Sequence, residues 1–168
     1  MMAPLRSNLA ALFTMSCLIA LPALAHDVAS GALRLSEARI SLPPPGARTA
    51  AGYISITNTG HTADSLVAGS SVMAAATEIH LTSTVANITR MRQIKDGVPL
   101  AAGQTVSLRP AGYHFMFVGL KRPLRAGDHV SVRLRFAHAP SVQIDFVVEK
   151  YLGQPAAASS MDMHGRPM

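Results

Sequence analysis

The sequence predicts an all-β sandwich or barrel, and three observations carry that reading. Short alternating or β-branched runs recur along the chain, turn residues separate them every 8–12 residues or so, and no segment keeps a helical period for three turns. Residues 31–40 form the first run and end at the Pro43-Pro44-Pro45-Gly46 break. Residues 51–58 follow, closed by Thr59-Gly60, and then 65–70, 78–82 and 88–94, the last ended by Lys95-Asp96-Gly97. Gly103 precedes a strand at 105–108, and Pro110-Ala111-Gly112 turns the chain into 113–120. Runs at 129–136 and 142–149 complete the set. Proline and glycine punctuate because the first fixes φ and the second reaches φ > 0 without cost. There is no internal repeat.

The ends read differently. Residues 1–25 are expected to be a signal peptide: Arg6 supplies the positive region, residues 9–21 are apolar apart from Thr14 and Ser16, and Ala23-Leu24-Ala25 is a small-x-small cleavage signal. The apolar run is short for a spanning helix and Pro22 breaks it, so a retained anchor is disfavoured. A lipoprotein reading would use Cys17, but Thr14-Met15-Ser16 is a poor lead-in and the apolar core runs on past the cysteine. The expected division is a signal peptide at 1–25, one folded domain at 26–151 and a flexible tail at 152–168. The expected location is the periplasm, with no membrane span after cleavage.

Cleavage decides the available chemistry. Cys17 is the one cysteine of the 168 residues, so the mature chain has none. Disulfides, thiolate nucleophiles and zinc-thiolate sites are excluded, and so are the cysteine-ligated blue and binuclear copper centres. Removing Arg6 from 15 basic residues leaves 14 against 9 acidic ones, a net charge of +5. Alternating positions such as Arg133 and Arg135 mark a solvated strand face, with a small cluster at Lys121, Arg122 and Arg125. Nucleic acid is not an expected partner of an exported domain, whereas an acidic protein surface could dock. The domain is expected to be a monomer and not an enzyme.

Two residue pairs carry the chemistry: His80 with Met91, and His114 with Met116. Thioether sulfur is soft and uncharged, so two imidazoles and two thioethers suit Cu(I) better than zinc, magnesium or calcium. In Tyr113-His114-Phe115-Met116-Phe117 the strand period of two puts His114 and Met116 on one face. The aromatic residues then take the core side, with the histidine exposed. For the other pair, Ser83-Thr84-Val85-Ala86-Asn87 can reverse the chain. A reversal centred between Val85 and Ala86 sets His80 directly opposite Met91, with Cβ atoms about 5 Å apart. A change of register would alter that pairing. Singly, each residue has a plainer use as a surface histidine or a core-filling methionine; together they meet the softness, spacing and same-face requirements. Met73 lacks a nearby histidine and reads as packing, while His61, His129 and His138 lack sulfur partners. Four neutral ligands leave a cationic complex, and no hard anionic anchor is evident.

Two further copper sites are conceivable. After cleavage at Ala25, the α-amine and imidazole of His26 could chelate Cu(II). The tail ends in Met161-Asp162-Met163-His164-Gly165-Arg166-Pro167-Met168, where His164 with Met161, Met163 and Met168 is expected to form a secondary Cu(II) site.

These residues resemble a known family, the periplasmic PCu(A)C copper chaperones of the DUF461 type. The matching stretches are Ala51-Gly52-Tyr53-Ile54-Ser55-Ile56-Thr57-Asn58, Glu78-Ile79-His80, Met91-Arg92, and Pro110-Ala111-Gly112-Tyr113-His114-Phe115-Met116-Phe117-Val118-Gly119-Leu120-Lys121. The similarity runs from about residue 31 to 149. It implies a cupredoxin-like Greek-key β-sandwich or barrel that binds Cu(I) through His80, Met91, His114 and Met116. It also implies delivery of copper to the binuclear copper site of cytochrome c oxidase subunit II, alongside a thiol-containing Sco-type protein. Leu81 stands where some members have methionine after the first histidine, and Thr89 where many have a second methionine. Some members carry a His/Met-rich extension implicated in Cu(II) binding, which the tail resembles.

Other functions remain open at this point. A copper-scavenging or resistance protein would use the same ligands without a delivery partner. An electron-transfer cupredoxin would need a cysteine ligand. A copper oxidase built on His26 would need two further nitrogens beside it.

Overall fold

A computed structural model of the protein describes residues 27–150. The expected signal peptide, His26 and the tail residues Met161, Met163, His164 and Met168 lie outside the described residues. The described part is all strand, as expected: β1 Val28–Ser30, β2 Leu33–Ser41, β3 Thr49–Asn58, β4 Asp64–Ser70, β5 Ala74–Val85, β6 Ile88–Gln93, β7 Val98–Leu100, β8 Thr105–Leu108, β9 Tyr113–Leu120, β10 His129–Phe136 and β11 Val142–Glu149. No helix among the described residues is long and apolar enough to cross a membrane.

The strands form one hydrogen-bonded path in the order β6-β5-β9-β3-β2-β11-β10-β4-β7, with β1 beside β2 and β8 beside β3. Sequence neighbours are often not sheet neighbours, as Greek-key crossovers require. All pairings are antiparallel except β2 with β11, where Val147 faces Arg39. The sheet folds over on itself. A Cβ at Gly69 of β4 would sit 2.8 Å from the Phe115 ring of β9, so the two ends of the path pack face to face only because that residue is glycine. Phe115, Phe117 and Phe146 fill the interior, each fully buried, with Phe146 edge-on to both at centroid distances of 6.0 and 6.1 Å. Each such side chain contributes roughly 1.5–3 kcal/mol on burial. Gly52 of β3 is needed for the same reason, since a Cβ there would lie 2.6 Å from Phe117 Cε2.

The structure corrects several boundaries. The run expected at 31–40 becomes β2 at Leu33–Ser41, and a turn at Gly31, whose φ is +58°, joins it to β1, a short strand that precedes the expected run. The strand expected at 78–82 extends to Ala74–Val85, because β9 supports one end and β6 the other. β7 escapes the sequence reading, because three residues with Pro99 in the middle show no alternating run. It is held at its ends instead: Val98 and Leu100 are fully buried, and Asn58 Nδ2 donates to the Leu100 carbonyl at 3.0 Å.

Candidate metal centre

The centre is a ladder on one face of three strands. β5 and β9 pair so that His80 lies opposite His114 and Glu78 opposite Met116. Alternation sends Phe115 and Phe117 into the core and leaves His114 and Met116 on the other face, as their spacing predicts. The rings of His80 and His114 stand 6.0 Å apart, tilted by 49°.

β6 brings the fourth residue, in a register different from the expected one. Ala86 and Asn87 form the turn, with φ of 50° and 61°, the left-handed pair of a two-residue type I′ hairpin. The reversal therefore centres one residue later than expected. Met91 faces Thr82, and Gln93 faces His80. Because the offset is two residues, Met91 stays on the His80 face. Its side chain leans across β5, and Sδ comes to 3.3 Å from His114 Nε2. The sequence reading missed the register because Ala86 is not a residue that signals φ > 0.

Protonation makes that short contact informative. His114 Nδ1 lies 3.0 Å from the Gly112 carbonyl, which can only accept, so Nδ1 carries the proton of the neutral ring. Nε2 then points a lone pair at the sulfur, which also has only lone pairs to offer. A tetrahedral ion with bonds of about 2.0 Å to nitrogen and about 2.3 Å to sulfur would hold such atoms about 3.5 Å apart. The donor pair is thus set at ligand spacing. Burial pushes the His114 pKa below its ordinary value, and His80 nearby acts the same way against the Gly112 hydrogen bond. The ring is held neutral, the form that coordinates metal.

Exposure corrects another expectation. His114 is buried, with 6% of its surface accessible, whereas Met91 is 55% exposed. The imidazole is screened by the β5–β6 hairpin lying over it, and every residue of β6 is exposed. Met116 is half-buried beside them. The centre runs from a buried nitrogen to a sulfur at the surface.

Glu78 was missed by the sequence reading, which found no anionic group. Its carboxylate oxygen lies 2.8 Å from His80 Nε2. The signal was present in Glu78-Ile79-His80, since residues two apart on a strand share a face. His80 Nδ1 is buried without a hydrogen-bond partner. Leaving such a group unsatisfied costs roughly 1–3 kcal/mol, a cost that a ligand to that nitrogen would relieve. Among the described residues no three His, Cys, Asp or Glu side chains come together to hold a metal ion. Any metal held here needs the thioethers, and thioethers select soft ions.

Met73 packs against the core, as expected. His61 and His138 are exposed loop residues away from the ladder, and His129 opens β10.

Comparison with known proteins agrees with this architecture. A family model described as "LpqE-like: Putative lipoprotein LpqE-like" matches residues 33–148. A Leifsonia xyli subsp. xyli protein named "Putative lipoprotein Lxx21020" is 31% identical over 137 residues, covering 82% of each chain. Among solved structures, the apo PCuAC domain from PmoF1 superposes with a TM-score of 0.65 at 25% identity, over 75% of this chain and 100% of that one. The Cu(I) form of DR1885 from Deinococcus radiodurans gives 0.58 at 25% identity, over 76% and 83%. The expected cupredoxin-like fold is borne out, and the chain belongs to the LpqE-like family, with the fold of the PCuAC domains.

Proposed function

We propose that the protein is an exported copper chaperone that carries Cu(I) on His80, Met91, His114 and Met116. The observation that carries the reading is the facing lone pairs of His114 Nε2 and Met91 Sδ at 3.3 Å. Copper is the cargo, so the site must release it. The exposed Met91 offers a first point of exchange for an incoming ligand, while the buried His114 keeps hold of the ion until the partner's donors are in place. Relatives support copper: one similar structure is a Cu(I) form and others are PCuAC domains. The proposed recipient is the binuclear copper site of cytochrome c oxidase subunit II, with a Sco-type protein supplying thiols, as the family resemblance implies.

The test is anaerobic Cu(I) titration of the mature protein, then incubation with an apo oxidase copper domain. One tightly bound equivalent that moves to the oxidase domain is expected. Copper that binds but stays would favour the scavenging alternative, and no Cu(I) binding would overturn the reading.

We further infer export by the signal segment, with cleavage after Ala25. Both the family and the Leifsonia relative are named as lipoproteins, which also supports export and gives Cys17 its specific alternative. The mass of the protein purified from its native cell separates the two: a chain starting at His26 without lipid is expected, whereas a lipid-modified chain starting at Cys17 would contradict this cleavage.

A further inference from the structure

We propose that Glu78 is a positioning residue that fixes the tautomer of His80, so that the two histidines offer copper different nitrogens: Nδ1 from His80 and Nε2 from His114. The inference rests on the Cu(I) site proposed above. A neutral imidazole has one N–H and one lone pair. The Glu78 carboxylate is an acceptor, and at 2.8 Å it takes the N–H of His80 at Nε2. The lone pair is thereby left on Nδ1, the buried nitrogen without a partner.

His114 is set the opposite way. Its Nδ1 donates to the Gly112 carbonyl two residues back along the chain, which leaves the lone pair on Nε2 beside Met91 Sδ. The difference follows from reach. A backbone carbonyl two residues back meets the nitrogen nearer the main chain, whereas a glutamate side chain from the same face extends to the outer one. A carboxylate behind a ligating histidine also raises the basicity of the ring and orients it. It places a negative charge near a complex that four neutral ligands leave cationic. Glu78 acts through His80 and is not itself a ligand, in keeping with the absence of a three-residue His/Cys/Asp/Glu set among the described residues.

Long-range 1H–15N correlation NMR on the 15N-labelled protein reads both tautomers without copper. In the apo protein at neutral pH, His80 should carry its proton on Nε2 and His114 on Nδ1. Added Cu(I) should shift His80 Nδ1 and His114 Nε2 most. Glu78→Gln retains an acceptor oxygen and should keep the tautomer, while its lost charge makes it bind Cu(I) more weakly than the unaltered protein but more tightly than Glu78→Ala. Glu78→Ala should give a mixed His80 tautomer and bind Cu(I) about 10–100-fold more weakly. A purely structural role for Glu78 would leave the tautomer unmoved. A His80 proton on Nδ1 in the apo protein, an unchanged tautomer in Glu78→Ala, or a copper shift at His80 Nε2 would each overturn this inference while leaving the Cu(I) reading intact. Absence of Cu(I) binding by the unaltered protein would overturn both.

Discussion

His114 combines three constraints in one ring: it is buried, its Nδ1–H is bound to Gly112, and its Nε2 faces a sulfur. Replacing it with alanine should therefore abolish tight Cu(I) binding. Met91→Ala removes only the outer sulfur and should weaken binding without abolishing it; anaerobic competition titration with a Cu(I) chelator compares the two. The same ring links stability to pH. Burial lowers its folded pKa below the unfolded value of 6.5. Between those values the unfolded chain binds more protons, so this contribution is complete above pH 6.5 and is lost as pH falls through the folded value. Apo thermal melts should decline over that window, and the decline should be shallower in His114→Gln. Copper binding should weaken as pH falls, because protonated imidazole cannot coordinate, and the lowered pKa of His114 moves its own protonation to lower pH.

At the scale of elements, the β5–β6 hairpin matters most, since it holds Met91 over His114 while burying none of β6. Its turn needs two residues at φ > 0, and Ala86 is one of them. Ala86→Pro would force φ to about −65° and unlatch β6 from β5. The expected result is a Cu(I) affinity near that of Met91→Ala with little change in melting temperature. A large loss of stability would instead mean that the hairpin supports the core. This element also shows what was legible in the sequence. The same-face placement of His114 and Met116 follows from a strict period of two, and the ends of β8 to β11 fall where the turn residues put them. The register of β5 with β6 was not legible, because a strained alanine stands where glycine or asparagine would have marked the turn. The burial of His114 was hidden as well, since it comes from a neighbouring strand and not from its own. Glu78 was legible in its spacing, two residues before His80 on one strand, although a carboxylate is not the soft ligand that the histidines and methionines signal.

For the whole molecule, the site depends on a core that sets β9 against β3 and β4. Phe115→Ala should cost about 3–5 kcal/mol by chemical denaturation, as for other buried aromatic residues. Gly52→Ala should cost about 1–3 kcal/mol, because its Cβ would meet Phe117 at 2.6 Å and push the strand that carries His114. Cu(I) affinity should fall with it, although no ligand has changed. Acid acts on the fold through Asp64 as well. Burial raises its pKa, but N–H donors from Ala139, Ser65 and His138 outweigh this and hold it below 3.8. Its contribution is present above that value and is lost as pH falls through the folded pKa, so the loop at 138–139 should loosen from β4 in strong acid. The linker composition of residues 152–168 predicts that they join no core. Truncation after Lys150 should leave the melting temperature nearly unchanged and remove Cu(II) binding at His164, which isothermal titration of the full and truncated chains would compare.

The central claim is that nitrogen and sulfur share one copper ion. X-ray absorption on the Cu(I)-loaded mature protein tests it most directly. The shell should contain both scatterers from His80, Met91, His114 and Met116, and the sulfur contribution should vanish in the Met91→Ala/Met116→Ala variant. A shell of nitrogen alone in the unaltered protein, or a spectrum that the double variant leaves unchanged, would contradict it.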